Sequence, residues 1–103
     1  MIWIFDLDNT LHDASHAVFP AITANMNAFS ARHAGKPGEP VSAEAANAIR
    51  PSYWKRYGAT ILGMIRHHGV KPEAILDASH DLGYLCLMLR AERGLERMMR
   101  RLP

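Results

Sequence analysis

Two carboxylates and a hydroxyl stand at alternate positions near the start of the chain, in Asp6-Leu7-Asp8-Asn9-Thr10. At the end of a β-strand, residues i and i+2 point to the same side, so Asp6 and Asp8 would both face the carboxyl end of a sheet, where open α/β sheets bind ligands. One carboxylate can attack while the other moves protons. Asp6 is the candidate nucleophile toward a phosphoryl group, forming an aspartyl-phosphate that water then hydrolyses. Asp8 would act as general acid toward the leaving oxygen and then as general base toward the water. Thr10, Asn9 and the loop amides are candidates for holding phosphoryl oxygens or bracing Asp8. A carboxylate attacks a phosphate only if the shared negative charge is neutralised. Mg2+, which takes oxygen ligands and keeps several waters, is therefore the expected cofactor, with Asp6 and the backbone carbonyl of Asp8 as its ligands.

These residues need a strand before them and a helix after them. Residues 1–5, Met-Ile-Trp-Ile-Phe, form a continuous apolar run stopped by Asp6, the pattern of a parallel-type strand buried on both faces. Ser15 is placed to cap a helix from His16 to about Ala34, with Val18, Ile22, Met26 and Phe29 on one stripe. Residues 35–40 hold two glycines and two prolines and read as a loop. A second helix starts near Ser42 and is interrupted at Pro51. The pattern resumes through Tyr53 to Tyr57 and again from Thr60 to His68, where Gly69 ends it. Pro72 opens a short helix to about Ser79. From Leu82 to Leu102, apolar and basic residues alternate at helical spacing, with Leu82, Leu85, Met88 and Leu89 as a core stripe. The tally is mostly α-helical with one strand, and a lone strand requires a neighbour to satisfy its backbone groups. The rest of the sheet is expected in sequence beyond these residues or in another chain.

Bulk properties narrow the function classes. At 103 residues, 49% hydrophobic and 21% charged, the chain fits at most one modest domain of ordinary globular composition. The net charge is +2, the front half being acidic and the back half basic. Arg90, Arg93, Arg97, Arg100 and Arg101 are interleaved with Glu92 and Glu96 and accompanied by no aromatic residue, which reads as a solvated helix face and argues against nucleic-acid binding. The single Cys86 lies in an apolar run and reads as a small buried hydrophobe in a reducing, cytoplasmic setting. No segment approaches the length of a membrane span, and no secretory signal pattern opens the chain.

The stretch Ile-Trp-Ile-Phe-Asp-Leu-Asp-Asn-Thr-Leu, residues 2–11, resembles the first motif of haloacid dehalogenase-like (HAD) hydrolases. Tyr53-Trp54-Lys55-Arg56-Tyr57-Gly58-Ala59-Thr60, with Gly63 and His67-His68-Gly69, further resembles the helical cap of their pyrimidine 5′-nucleotidase branch. The resemblance implies an α/β enzyme with a Rossmannoid core, in which Asp6 is the nucleophile, Asp8 the acid/base and Thr10 the matching third position. It implies a Mg2+-dependent phosphatase acting on a small phosphomonoester, a nucleoside monophosphate in particular. On that pattern residues 1–14 are the first core strand and catalytic loop, 15–90 the helical cap, and 91–103 a helix returning to the core. The family's later elements are a Ser or Thr after a second strand, a lysine and an acidic pair. None is identifiable here, and Asp77 and Asp81 follow a helical stretch rather than a strand. The 103 residues alone are therefore expected to be nearly inactive.

Other residues admit a chemical and a packing reading. If the resemblance holds, Tyr53, Lys55 and Tyr57 face the substrate, Lys55 offering a cation to phosphate; otherwise they form a packed helix face with snorkelling lysine. His67 and His68 diverge by about 100° on a helix and suit a helix end better than one metal ion. His12 and His16, four apart, would need a third ligand to hold zinc. Apolar stripes left without cover favour self-association. The rival to catalysis is a helical binding or oligomerising module that keeps the motif without its activity.

Overall fold

Helix signals and chain breakers divide the polypeptide into five α-helices in the computed structural model, which describes residues 1–83 and 85–103, without the side chain of Cys86. The buried reading of Cys86 thus lies outside what is described. The helices are α1 (Val18–His33), α2 (Ala43–Tyr57), α3 (Thr60–His68), α4 (Pro72–Ser79) and α5 (Leu95–Met99), with a 3-10 turn at Leu85–Met88. The chain divides into two compact units, one of residues 1–20 with 82–103 and one of residues 21–81.

The unit of residues 21–81 is held by helix packing. Phe29 of α1, Met64 of α3 and Ile75 of α4 are buried together, with Ile49 and Tyr53 of α2, Ile61, Val70 and Ala78 packed around them. The stripe on α1 thus delivers Phe29, while Asn25 ties the helix to the end of α4 by donating to the carbonyls of Ser79 and Asp81, both at 3.2 Å. Helix α2 starts at Ser42, whose Oγ accepts from the Ala45 amide at 3.2 Å. It runs straight through Pro51, where the sequence pattern suggested an interruption. One missing amide donor is tolerated because Ile49 and Tyr53 on either side are anchored in the core. Gly58 then ends α2 in the left-handed region, φ 81°, its amide bonding the Trp54 carbonyl at 2.8 Å. Helices α3 and α4 occupy the expected spans. The loop after α1 is a tight turn in which the Glu39 amide bonds the Lys36 carbonyl at 2.9 Å. Gly35 is required there, because a Cβ would lie 2.0 Å from the Glu39 oxygen.

The other unit is sparsely packed, with Ala14, Ala17 and Leu85 as its buried apolar residues. Two expectations fail here for physical reasons. Residues 1–7 form no strand: a strand exists only as part of a ladder, and among the described residues none offers a partner. Met1, Ile2 and Ile4 are 91%, 89% and 93% exposed in consequence. The helix expected over 82–102 is broken, because Gly94 adopts φ 81° and the backbone near Arg90 turns to other partners. Asp13 donates to the Arg90 carbonyl at 2.9 Å, and Glu92 to the Leu11 carbonyl at 3.3 Å. Leu85 alone of the expected stripe is buried; Met88 and Leu89 are exposed. Among the described residues no helix is long and apolar enough to cross a membrane.

Candidate functional site

The acidic motif sits on a turn rather than on the end of a strand. The amides of Thr10 and Leu11 both bond the Leu7 carbonyl, at 3.3 and 2.9 Å, closing one coil of backbone around Asp8 and Asn9. Asn9 is the one residue other than glycine with positive φ, 55°, among the described residues. Asparagine tolerates that conformation better than most residues, and here its side chain is fixed as well. Its Oδ1 accepts from the Ser15 amide at 3.1 Å and its Nδ2 donates to Ser15 Oγ at 2.9 Å. Ser15 is therefore the brace of this turn and not the cap of α1, which begins three residues later. Asn9, expected to contact phosphate, has its side chain committed to shaping the loop.

Each aspartate has its own partner four residues on. Thr10 Oγ1 donates to Asp6 Oδ2 at 3.1 Å, and His12 Nε2 meets Asp8 Oδ1 at 2.8 Å. The turn replaces the strand geometry in which both carboxylates would share one face. Thr10 supports Asp6 rather than Asp8. Asp6 and Asp8 are exposed, Asp8 with 56% of its side chain accessible, while the His12 side chain is 15% exposed and its Nδ1 is buried without a hydrogen-bond partner. His12 is the residue that reading the motif alone missed. Its spacing of four from Asp8 was the available signal, obscured because the more obvious partner was His16, also four away.

Asp6 and Asp8 supply hard oxygen donors on one exposed turn, which suits Mg2+, an ion commonly held by one or two carboxylates together with water and substrate phosphate. Among the described residues no three His, Cys, Asp or Glu side chains converge into a metal-binding group. Asp77 lies within α4 and Asp81 just beyond it, so neither follows a strand.

Within residues 21–81, Tyr53 and Tyr57 come together on one face of α2, ring centroids 5.9 Å apart, and pair with the end of α3. The Tyr53 hydroxyl bonds His68 Nε2 at 2.7 Å, and the Tyr57 hydroxyl bonds His67 Nε2. The Tyr53 ring stacks on His67 at 5.3 Å, and the guanidiniums of Arg56 and Arg66 lie 5.4 and 5.8 Å from the centre of the Tyr57 ring. Burial raises the Tyr53 hydroxyl above its ordinary pKa, Tyr57 adding to this and Arg56 opposing it. Burial lowers His68, and His67 adds in the same direction. Both tyrosine hydroxyls are thus satisfied inside this unit, whereas Lys55 is exposed. The packing reading describes Tyr53 and Tyr57 as they stand. The adjacent histidines each find a separate tyrosine, as their angular divergence on a helix requires.

No protein-family model matches the sequence, and no solved structure matches the chain. The functional reading accordingly rests on the residues themselves.

Proposed function

We propose that Asp6 is the phospho-acceptor of a Mg2+-dependent phosphomonoester hydrolase of the haloacid dehalogenase-like type, an α/β enzyme with a Rossmannoid core acting on nucleoside 5′-monophosphates, pyrimidine ones first, in the cytoplasm. The observation that carries the reading is the pair of exposed aspartates on one braced turn, each held by a different partner. Thr10 orients the Asp6 carboxylate by donating to Oδ2, leaving Oδ1 to attack phosphorus. The new Asp6 Oδ1–P bond forms as the bond from phosphorus to the ester oxygen breaks, and that oxygen takes a proton from Asp8. Asp8 then receives a proton from the water that attacks the acyl phosphate, releasing phosphate and restoring Asp6. His12, hydrogen-bonded to Asp8 Oδ1, holds this carboxyl in place. Mg2+, when bound by the Asp6 carboxylate and the Asp8 backbone carbonyl, would supply neutralisation of the phosphate and carboxylate charges.

These 103 residues contain no identifiable counterpart of the Ser or Thr, lysine and acidic pair that the resemblance calls for, so turnover is expected to be slow and single-step labelling is the better test. Incubation with 32P-labelled acetyl phosphate and Mg2+ should leave a hydroxylamine-labile label on the protein. Acetate leaves without help from an acid, so Asp8→Asn should keep the label and lose it more slowly, while Asp6→Asn should abolish it. Equal labelling of Asp6→Asn and the unaltered chain would overturn the assignment. A second reading, a non-catalytic binding or oligomerising module, is favoured by the bare apolar residues Met1, Ile2 and Ile4, and absence of any label would select it.

A further inference from the structure

A groove within residues 21–81 has the composition of a small-molecule site and is not used by the acidic loop. It measures ≈ 400 Å3 and is bounded by α1 through Met26, by α2 through Arg50 and Trp54, by the start of α3 at Thr60, and by α4 through Ile75 and Leu76. Arg50 and Trp54 are four apart on α2 and therefore share a face. Three features of these two residues point to a ligand. Trp54 is 66% exposed, leaving a large flat apolar surface bare at the rim. The Arg50 Nε is buried and has no hydrogen-bond partner, although arginine carries five donors in a fixed fork and a buried donor is costly to leave unmade. No acidic residue lines the groove, and among the described residues no carboxylate pairs with Arg50.

Several other polar groups of the groove already have partners within the helical unit. Thr60 Oγ1 donates to the Arg50 carbonyl at 3.1 Å, which ties the start of α3 to the α2 backbone at Arg50. His80 Nδ1 donates to the Leu76 carbonyl at 3.0 Å and lies 2.9 Å from Ser79 Oγ. Met26 and the buried Ile75 supply an apolar floor. An apolar pocket with a few convergent polar groups is the general form of a small-molecule site, and a guanidinium without a carboxylate selects an anion.

We propose that this groove binds a small planar aromatic anion, its ring lying on Trp54 and its anionic group hydrogen-bonded to Arg50. The site does not depend on the chemistry assigned to Asp6 and Asp8, and its occupant is defined by shape and charge: a flat ring, one anionic group, and a size within the groove.

The chain has two tryptophans, Trp3 and Trp54, so a 15N-labelled sample gives two indole N–H signals, assigned with the Trp3→Phe variant. Titration with 2-naphthoate should shift the Trp54 signal saturably and leave that of Trp3 in place. The neutral 2-naphthamide should bind about tenfold more weakly or worse, since a charge-assisted hydrogen bond is worth at least that factor, and acetate should produce no shift. Arg50→Gln should weaken 2-naphthoate to the level of the amide, Arg50→Lys should retain part of the affinity, and Arg32→Gln, near the C-terminal end of α1 and outside the groove, should change nothing. Equal binding of naphthoate and naphthamide, or no saturable shift of Trp54, overturns the proposal. Because the acid and amide are compared on the unaltered chain, the result stands even if an Arg50 variant folds poorly.

Discussion

Gly63 tests the packing on which the whole helical unit depends. An alanine Cβ at this position would lie 2.2 Å from Tyr53 Cγ, 2.3 Å from Cδ2 and 2.6 Å from the Tyr53 Cβ, whereas carbon atoms in contact sit about 3.5 to 4.0 Å apart. The ring must retreat by more than about 1 Å, yet it is stacked on His67, hydrogen-bonded to His68 and packed against the core. Overpacking of this kind costs about 1 to 3 kcal/mol. Loss of the Tyr53–His68 hydrogen bond adds about 1 kcal/mol. Against this, alanine is better than glycine inside a helix by about 1 kcal/mol. The balance is a net destabilisation of about 2 kcal/mol, which corresponds to a fall in Tm of about 10 °C for a chain of this size. Urea or thermal unfolding followed by circular dichroism measures it directly. The same substitution made in a Tyr53→Ala background should change sign and stabilise by about 1 kcal/mol, because only the helix preference remains. A Gly63→Ala chain as stable as the original, or the same effect in both backgrounds, would refute the argument that Tyr53 occupies the space above Gly63.

Stability should also respond to pH through His68. Its folded pKa is lowered by burial and by His67, so the unfolded chain binds the proton more readily. The contribution is complete above the unfolded value of about 6.5 and is lost as pH falls through that value toward the folded one. Urea midpoints compared at pH 8 and pH 5.5 should show this loss, and His68→Gln should reduce it. At the other end of the scale, the raised Tyr53 pKa means that stability falls as pH climbs above about 10, and Tyr53→Phe should flatten that limb. The caps of α2 give two independent tests by chemical denaturation. Ser42→Ala should cost about 1 kcal/mol through loss of the bond to the Ala45 amide, and Gly58→Ala about 1 kcal/mol through its positive φ alone, since nothing lies within 4 Å of the added carbon. Finally, Ile2→Ser with Ile4→Ser should lower the apparent mass at high protein concentration in light scattering, because both side chains are almost fully exposed. An unchanged mass would dissociate that arm from self-association.

Local sequence signals were sufficient for the helices whose ends carry their own chemistry. Ser42, Gly58, Gly69 and Pro72 act on the backbone within one turn, and α2, α3 and α4 begin or end beside them. The chemical character of Asp6-Leu7-Asp8-Asn9-Thr10 was equally legible, because which groups can attack, move protons or bind a hard cation depends on residue type. The arrangement of that loop was a tertiary matter. A strand at residues 1–5 needs hydrogen-bonding partners from elsewhere, and propensity cannot provide them. The pairing of Asp8 with His12 rather than any role for His16, and of Ser15 with Asn9 rather than the first turn of α1, followed from how the backbone closed at Leu7 to Leu11. The same holds for Tyr53 and Tyr57, whose spacing on α2 was evident but whose hydroxyls were claimed by histidines of a different helix. Residue types set which interactions are available to this chain. Which of several equally spaced partners each side chain takes is decided by packing, since a hydrogen bond forms only where the fold brings donor and acceptor into register and nothing in the linear order ranks one neighbour above another.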